Sequence, residues 1–147
     1  MKHLLKNFFI ILFLSFIFLA NSNAASKWGR GELQLSDWVV NAFIKYVKGN
    51  YSNSPYMFAV SEDGQNYQYY ICQYGTNCSG GDEQILQECQ NYAGGVECSL
   101  FSLRRTIRWK NDINPGKGKA SKINSKWSEK QIRDKLTELG FLGNINS

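Results

Sequence analysis

The four cysteines are the sequence feature that most restricts the fold, because all of them lie close together in the chain. They are Cys72, Cys78, Cys89 and Cys98. An even set of cysteines in an exported chain indicates disulfides, and four cysteines allow three pairings. The spacing favours Cys72 with Cys78 and Cys89 with Cys98. Two short covalent loops are then expected to stabilise this part of the fold.

The first 24 residues have the pattern of a cleavable export signal. Lys2 and Lys6 give a charged start, residues 8–20 form an apolar run, and small residues precede the predicted cleavage after Ala24. Thirteen residues fall short of the ~20 that a membrane-spanning helix needs. We therefore expect no stable membrane span after cleavage and predict a periplasmic or secreted protein. An uncleaved segment that anchors the chain at the bilayer is the alternative.

The mature chain is predicted to contain no histidine, because His3 lies inside the signal. Histidine is the usual general base near neutral pH and a common metal ligand. The cysteine spacings also contain no Cys-x-x-Cys pair that would indicate a zinc or redox site. We therefore expect a non-enzymatic protein without a metal or another cofactor.

Apolar periodicity and turn residues predict three helices and two hairpins. The helices are predicted at 36–48, 82–93 and 128–140. The strands are predicted at 57–60, 67–72, 96–101 and 106–110. The order α-ββ-α-ββ-α predicts an α+β domain with an antiparallel sheet of about four strands, covered on one side by helices and held by two disulfides.

Composition divides the chain into four parts. They are a signal peptide at 1–24, a compact disulfide-containing domain at 25–110, a flexible basic linker at 111–127, and a C-terminal helix and tail at 128–147. The linker is rich in Asn, Gly, Lys and Ser, which is typical of loops. Leu136, Leu139 and Phe141 are expected to pack on the main domain or on a partner.

Basic residues are concentrated in one part of the chain. Residues 25–98 contain four Lys or Arg against eight Asp or Glu, whereas residues 99–133 contain ten against two. Such a concentration is typical of surfaces that bind anionic polymers or headgroups, because several contacts add. Export argues against nucleic acid as the natural partner, so an anionic component of the cell envelope is the predicted ligand.

The candidate site lies on the last predicted strand and on the turn before it. Alternate residues of a strand share a face, so Arg104, Arg108 and Lys110 are predicted to form a row of anion-binding cations. Trp109 and Tyr70 are the candidate stacking neighbours. The alternative interpretation is an exposed edge strand that its charges protect from aggregation.

Two resemblances extend these predictions. The stretch from Phe58-Ala-Val-Ser-Glu-Asp-Gly, through the four cysteines, to Arg105-Thr-Ile-Arg-Trp109 resembles small exported bacterial domains of unknown function that combine a hairpin, a cysteine-bearing helix and a second hairpin. This resemblance implies a secreted or periplasmic module without an assigned activity. Residues 131–141, with Gly143, are similar to the first helix of peptidoglycan-binding repeats, although the later helices of those repeats are absent.

The sequence therefore predicts an exported, non-catalytic binding module that recognises anionic envelope polymers or headgroups. One alternative is a protein-partner or inhibitor module that uses the C-terminal helix or a sheet edge. An exposed apolar stripe on that helix would favour it. The other alternative is a carboxylate-dependent envelope hydrolase. Glu62 and Asp63 are poor candidates for it, because adjacent residues on a turn point in different directions.

Overall fold

The computed structural model describes residues 26–143, so the predicted signal at 1–24 and the end of the tail at 144–147 lie outside the described residues. The elements are α1 (Asp37–Lys48), β1 (Asn53–Ser61), β2 (Tyr67–Gln73), α2 (Asp82–Tyr92), β3 (Cys98–Leu103), β4 (Thr106–Ile107) and α3 (Glu129–Glu138). A short 3-10 turn lies at Lys119–Ser121. The order of these elements confirms the predicted α+β fold.

The four strands form one antiparallel sheet in the order β2-β1-β3-β4. Alternate residues of the central strand β1 point to opposite faces. Phe58 and Val60 pack with α1 and α3, whereas Met57 and Ala59 pack with α2. Helices therefore cover both faces of the sheet, which differs from the expected coverage of one face. The reason is that successive residues of β1 are apolar on both faces.

The helix ends follow from local chemistry. The Ser36 side chain accepts a hydrogen bond from the Val39 N–H and caps the start of α1, while Gly49 ends it at a φ of 60°. The predicted capping box at the start of α3 is present, because Ser128 and Gln131 exchange side-chain and backbone hydrogen bonds. The apolar stripe of α3 is buried in the domain.

Both predicted disulfides are confirmed. Cys72 and Cys78 close a loop after β2, with their Cα atoms 5.8 Å apart. Cys89 and Cys98 join α2 to β3 across a Cα distance of 6.1 Å. Stable disulfides indicate a protein that resides outside the cytoplasm. Among residues 26–143, no helix combines the length and the apolar character that crossing a bilayer requires.

The segment at 111–127 packs on the domain, which differs from the predicted flexible linker. Ile123 is buried in the same core as α1 and α3. The Asn114 side chain donates to the Trp109 carbonyl at 2.7 Å and accepts from the Ser121 hydroxyl at 2.6 Å. Gly116 has a φ of 70° and passes so close to the Arg108 carbonyl that a Cβ would lie 2.7 Å from it. One core therefore continues from residue 33 to residue 141.

Candidate anion-binding site

The three predicted anion-binding residues do not form a row. β4 ends at Ile107, and the N–H groups of both Arg108 and Trp109 donate to the Phe101 carbonyl, at 2.7 and 3.1 Å. Because two consecutive N–H groups share one acceptor, the alternation of side chains along the strand is interrupted here. The predicted row of cations depended on that alternation. Arg104 therefore falls out of the alternation, whereas Arg108 and Lys110 stay on either side of the buried Trp109.

Arg104 is exposed in the turn between β3 and β4, where its backbone is left-handed with a φ of 51°. The guanidinium of Arg108 lies 5.0 Å from the centroid of the Trp28 ring, in a cation–π contact. Lys110 is exposed and pairs through its backbone with Arg30. Arg104 is therefore not part of the predicted common face of the three cations.

The two predicted stacking residues serve the packing of the domain. Trp109 is only 2% exposed, its indole N–H donates to the Gly31 carbonyl at 3.0 Å, and Gly29 lies against its ring. Its faces are therefore closed to a ligand, which corrects the prediction. Tyr70 is half-buried beside α2, and its ring approaches Gly81. Burial, followed by the nearby Glu88 carboxylate, raises the pKa of Tyr70.

A different group of cations converges on an open cleft between β4, residues 118–127 and α3. We call it the basic cleft; its charged side chains are Arg105, Lys119, Lys122 and Lys135, and its volume is about 1170 Å³. Trp127, which is half-buried, supplies an aromatic wall. No Asp or Glu is among the lining residues. The basic cleft therefore combines positive charge with one ring.

Backbone pairing positions the cations from the β4 side. Lys122 forms a bridge with Thr106, and the Ile123 N–H donates to the Arg105 carbonyl at 2.7 Å. Residues 122 and 123 therefore extend the sheet beyond β4. The Arg105 Nε donates to the Val47 carbonyl in the last turn of α1 at 2.7 Å, which fixes the side chain.

The fourth cation comes from α3. The side chain of Lys135 is only 15% exposed, and its Nζ forms an ion pair with Glu138 at 2.8 Å. Within residues 26–143, no carboxylate lies within ion-pair distance of Arg105, Lys119 or Lys122. Three of the four charges are therefore free to attract an anion.

A second, smaller cleft lies on the other side of the β3–β4 turn. We call it the loop cleft; it has a volume of about 320 Å³, and its wall is the loop closed by Cys72 and Cys78. Arg104 and Arg105 supply its charge, and no Asp or Glu lines it. Arg105 therefore belongs to both clefts.

The carboxylates of Asp63, Asp82 and Glu88 lie outside the two clefts and accept hydrogen bonds from neighbouring side chains or backbone. Asp63 accepts hydrogen bonds from the Ser61 hydroxyl and the Gln65 N–H, which stabilises the turn after β1. A hydrogen bond from Lys27 lowers the pKa of Asp82, and hydrogen bonds from glutamine side chains lower that of Glu88. A general acid needs the opposite shift. Among residues 26–143, no group of three His, Cys, Asp or Glu side chains is arranged to hold a metal ion.

Comparisons with protein families, with curated proteins and with solved structures found no match to this chain. The site must therefore be interpreted from its own geometry. The sequence prediction includes the lysines between 117 and 126 in the flexible basic linker and therefore misses the basic cleft. The available signal was Ile123, a lone β-branched residue among lysines, which marks a point where the segment packs on the core.

Proposed function

We propose that this protein is an exported, non-catalytic module that binds an anionic polymer of the cell envelope in the basic cleft. The observation that carries the proposal is the lining itself, which contains no carboxylate and four cations, three of them without an ion pair within residues 26–143. A concave surface of one charge sign focuses the electrostatic field and attracts oppositely charged ligands. The two disulfides support this proposal, because stable disulfides are typical of proteins outside the cytoplasm, where such polymers occur.

A polymer suits the basic cleft better than a small anion does. One exposed ion pair contributes only about 0.2–1 kcal/mol, so a single contact with Lys119 or Lys122 gives weak binding. Several contacts along one chain add, and their sum depends strongly on salt. The ring of Trp127 lies in the same cleft and offers an apolar surface to a sugar or a carbon backbone.

Dextran sulfate, with uncharged dextran of the same length as the control ligand, provides the test. Titration of the oxidised protein at low salt is expected to show binding of the sulfated polymer alone. Changing Lys119→Gln and Lys122→Gln together should weaken this binding about tenfold, since two contacts of about 0.7 kcal/mol are lost. Neither lysine forms an ion pair within residues 26–143, so folding should be unaffected.

The matched control changes Arg30→Gln and Lys45→Gln, which removes the same net charge from exposed positions outside the basic cleft. Repeated at physiological salt, where charges are screened beyond about 8 Å, this control should weaken binding less than twofold and the cleft variant should still weaken it more. Equal losses in the two double variants would reduce the effect to net charge and overturn the proposal. Absence of binding to the sulfated polymer would overturn it as well.

A protein partner at a sheet edge is the second candidate function. Two side chains beside the edge strand β2 favour it, because Trp38 is 65% exposed and Ile71 is 46% exposed. At this edge the backbone N–H of Tyr69 already donates to the Gln68 side chain and is therefore not available to a partner strand. The apolar stripe of α3, which is the other predicted surface for a protein partner, is buried in the domain. Salt-resistant capture of one protein, lost in a Trp38→Ser variant, would support the edge.

A further inference from the structure

The two clefts meet at one side chain. Arg105 lines the basic cleft on one side of the β3–β4 turn and the loop cleft on the other. Its Nε is used by the Val47 carbonyl, while its two terminal nitrogens form no hydrogen bond within residues 26–143. A guanidinium presents five donors in a fixed plane, so one Arg can contact anions on both sides.

Arg104 extends the charge into the loop cleft. Its left-handed backbone favours Gly or Asn, and a larger side chain there costs about 1–2 kcal/mol. Hydrogen bonds fix this conformation, since the Arg104 N–H donates to the Tyr56 carbonyl at 2.7 Å and its own carbonyl accepts from the Tyr46 hydroxyl at 2.9 Å. A strained residue with an exposed charge in a cleft points to a role of its side chain in binding.

The wall opposite these arginines is fixed. The Cys72–Cys78 disulfide closes the loop, the Thr76 hydroxyl donates to the Gln73 carbonyl at 2.7 Å, and the Tyr74 N–H donates to the Ser52 carbonyl at 2.7 Å. A loop held by a covalent bond and two hydrogen bonds loses little entropy when a ligand binds. The loop cleft is therefore preformed.

We infer that the basic cleft and the loop cleft are two subsites of one groove, and that the ligand is a linear polyanion long enough to occupy both. This inference rests on the proposed function, because it assumes that the basic cleft binds anions. Arg105 lies at the junction, with Lys119 and Lys122 on one side and Arg104 on the other. A chain that reaches both subsites binds more tightly than one that fills either, because the second contact is intramolecular.

Linear polyphosphates of graded length are suitable probes, since they vary in length at constant chemistry. Affinity is expected to rise with length until the chain fills both subsites. Arg104→Asn removes a charge from the loop cleft and keeps a residue that tolerates the left-handed backbone. It should leave triphosphate affinity within about twofold, because triphosphate is short enough to lie in the basic cleft alone. It should reduce the affinity that a long chain gains over triphosphate about tenfold, since a bidentate contact of Arg with phosphate is stronger than one lysine contact.

The double variant Cys72→Ser, Cys78→Ser keeps the Cys89–Cys98 disulfide. It should also lose most of the affinity that a long polyphosphate gains over triphosphate. Lys122→Gln should weaken both short and long chains, and Arg30→Gln should change neither by more than about twofold. If Arg104→Asn keeps the full long-chain gain, the two-subsite groove is overturned while the proposed function remains. If Lys122→Gln changes neither affinity, the proposed function itself fails.

Discussion

The two faces of the sheet are stabilised in different ways. Within residues 26–143, the face below α1 and α3 has a large core around Phe43, Phe58 and Phe101, with nineteen buried apolar residues. The face below α2 has a small core around Ile85 and Leu100, with six. The disulfide between Cys89 and Cys98, two of those six residues, joins α2 to the sheet there. Apolar burial suffices on the first face, whereas a covalent bond supplements it on the second.

The candidate site depends on this difference. Lys119 and Lys122 are held by a segment whose Ile123 belongs to the large core, so the basic cleft is positioned by apolar packing. The loop cleft is bounded by a surface loop, and the Cys72–Cys78 disulfide closes it. A small domain cannot extend its core under every surface feature, and disulfides supply stability where the core ends.

The largest effect is expected from Phe43→Ala in the large core. The ring of Phe43 packs edge-on against those of Phe58 and Phe101, each at a centroid distance of 5.2 Å. Its removal leaves a cavity and should lower the free energy of unfolding by about 3–5 kcal/mol. Urea denaturation measures this loss. The matched pair is Ile132→Ala in the large core and Ile85→Ala in the small core, both at 0% exposure. Each should cost about 2–5 kcal/mol, and a larger loss at Ile85 would contradict the ranking of the two faces.

Breaking the Cys89–Cys98 disulfide should have the next largest effect. The double variant Cys89→Ala, Cys98→Ala should lower the free energy of unfolding by about 2–3 kcal/mol, as expected for a short loop. Because the disulfide also joins α2 to the sheet, the amides of α2 should accelerate more than those of α1, which lose only the change in global stability. Hydrogen exchange followed by mass spectrometry distinguishes the two helices. Equal acceleration in α1 and α2 would mean that the faces are not stabilised separately.

The difference between local signals and contacts that form on folding explains which features the sequence could predict. The three helices, both hairpins and both disulfide pairings follow from periodicity, caps and cysteine spacing, which are local signals. Apart from Ile123, which signals that the lysine-rich segment packs on the core, the site depends on contacts that no local pattern encodes. One is the shared acceptor at Phe101, which disrupts the strand after Ile107. The other is the network of Asn114 and Ser121, which fixes a segment with the composition of a linker. Both require contacts that form only after the chain has folded.

Alkaline pH should destabilise the large core through Tyr46. Burial raises the pKa of the Tyr46 hydroxyl far above its usual range. In the unfolded chain this hydroxyl loses its proton near pH 10, so stability is fully present below that pH and is lost as pH rises further. The loss should approach about 1.4 kcal/mol per pH unit. Tyr46→Phe should flatten this slope in denaturation measured from pH 8 to 11; an unchanged slope would place its origin elsewhere.

Tyr70→Phe should have the smallest effect and is the sharpest comparison with Tyr46. The Tyr46 hydroxyl donates to the Arg104 carbonyl, so Tyr46→Phe at neutral pH should cost about 1 kcal/mol. The Tyr70 hydroxyl is buried without a hydrogen-bond partner within residues 26–143. Removing it gives up only the weak attraction of the hydroxyl for the nearby Glu88 carboxylate, so Tyr70→Phe should cost at most about 0.5 kcal/mol. Urea denaturation at pH 7 compares the two, and a loss at Tyr70 equal to that at Tyr46 would indicate a bond to Glu88 and a more polar small core.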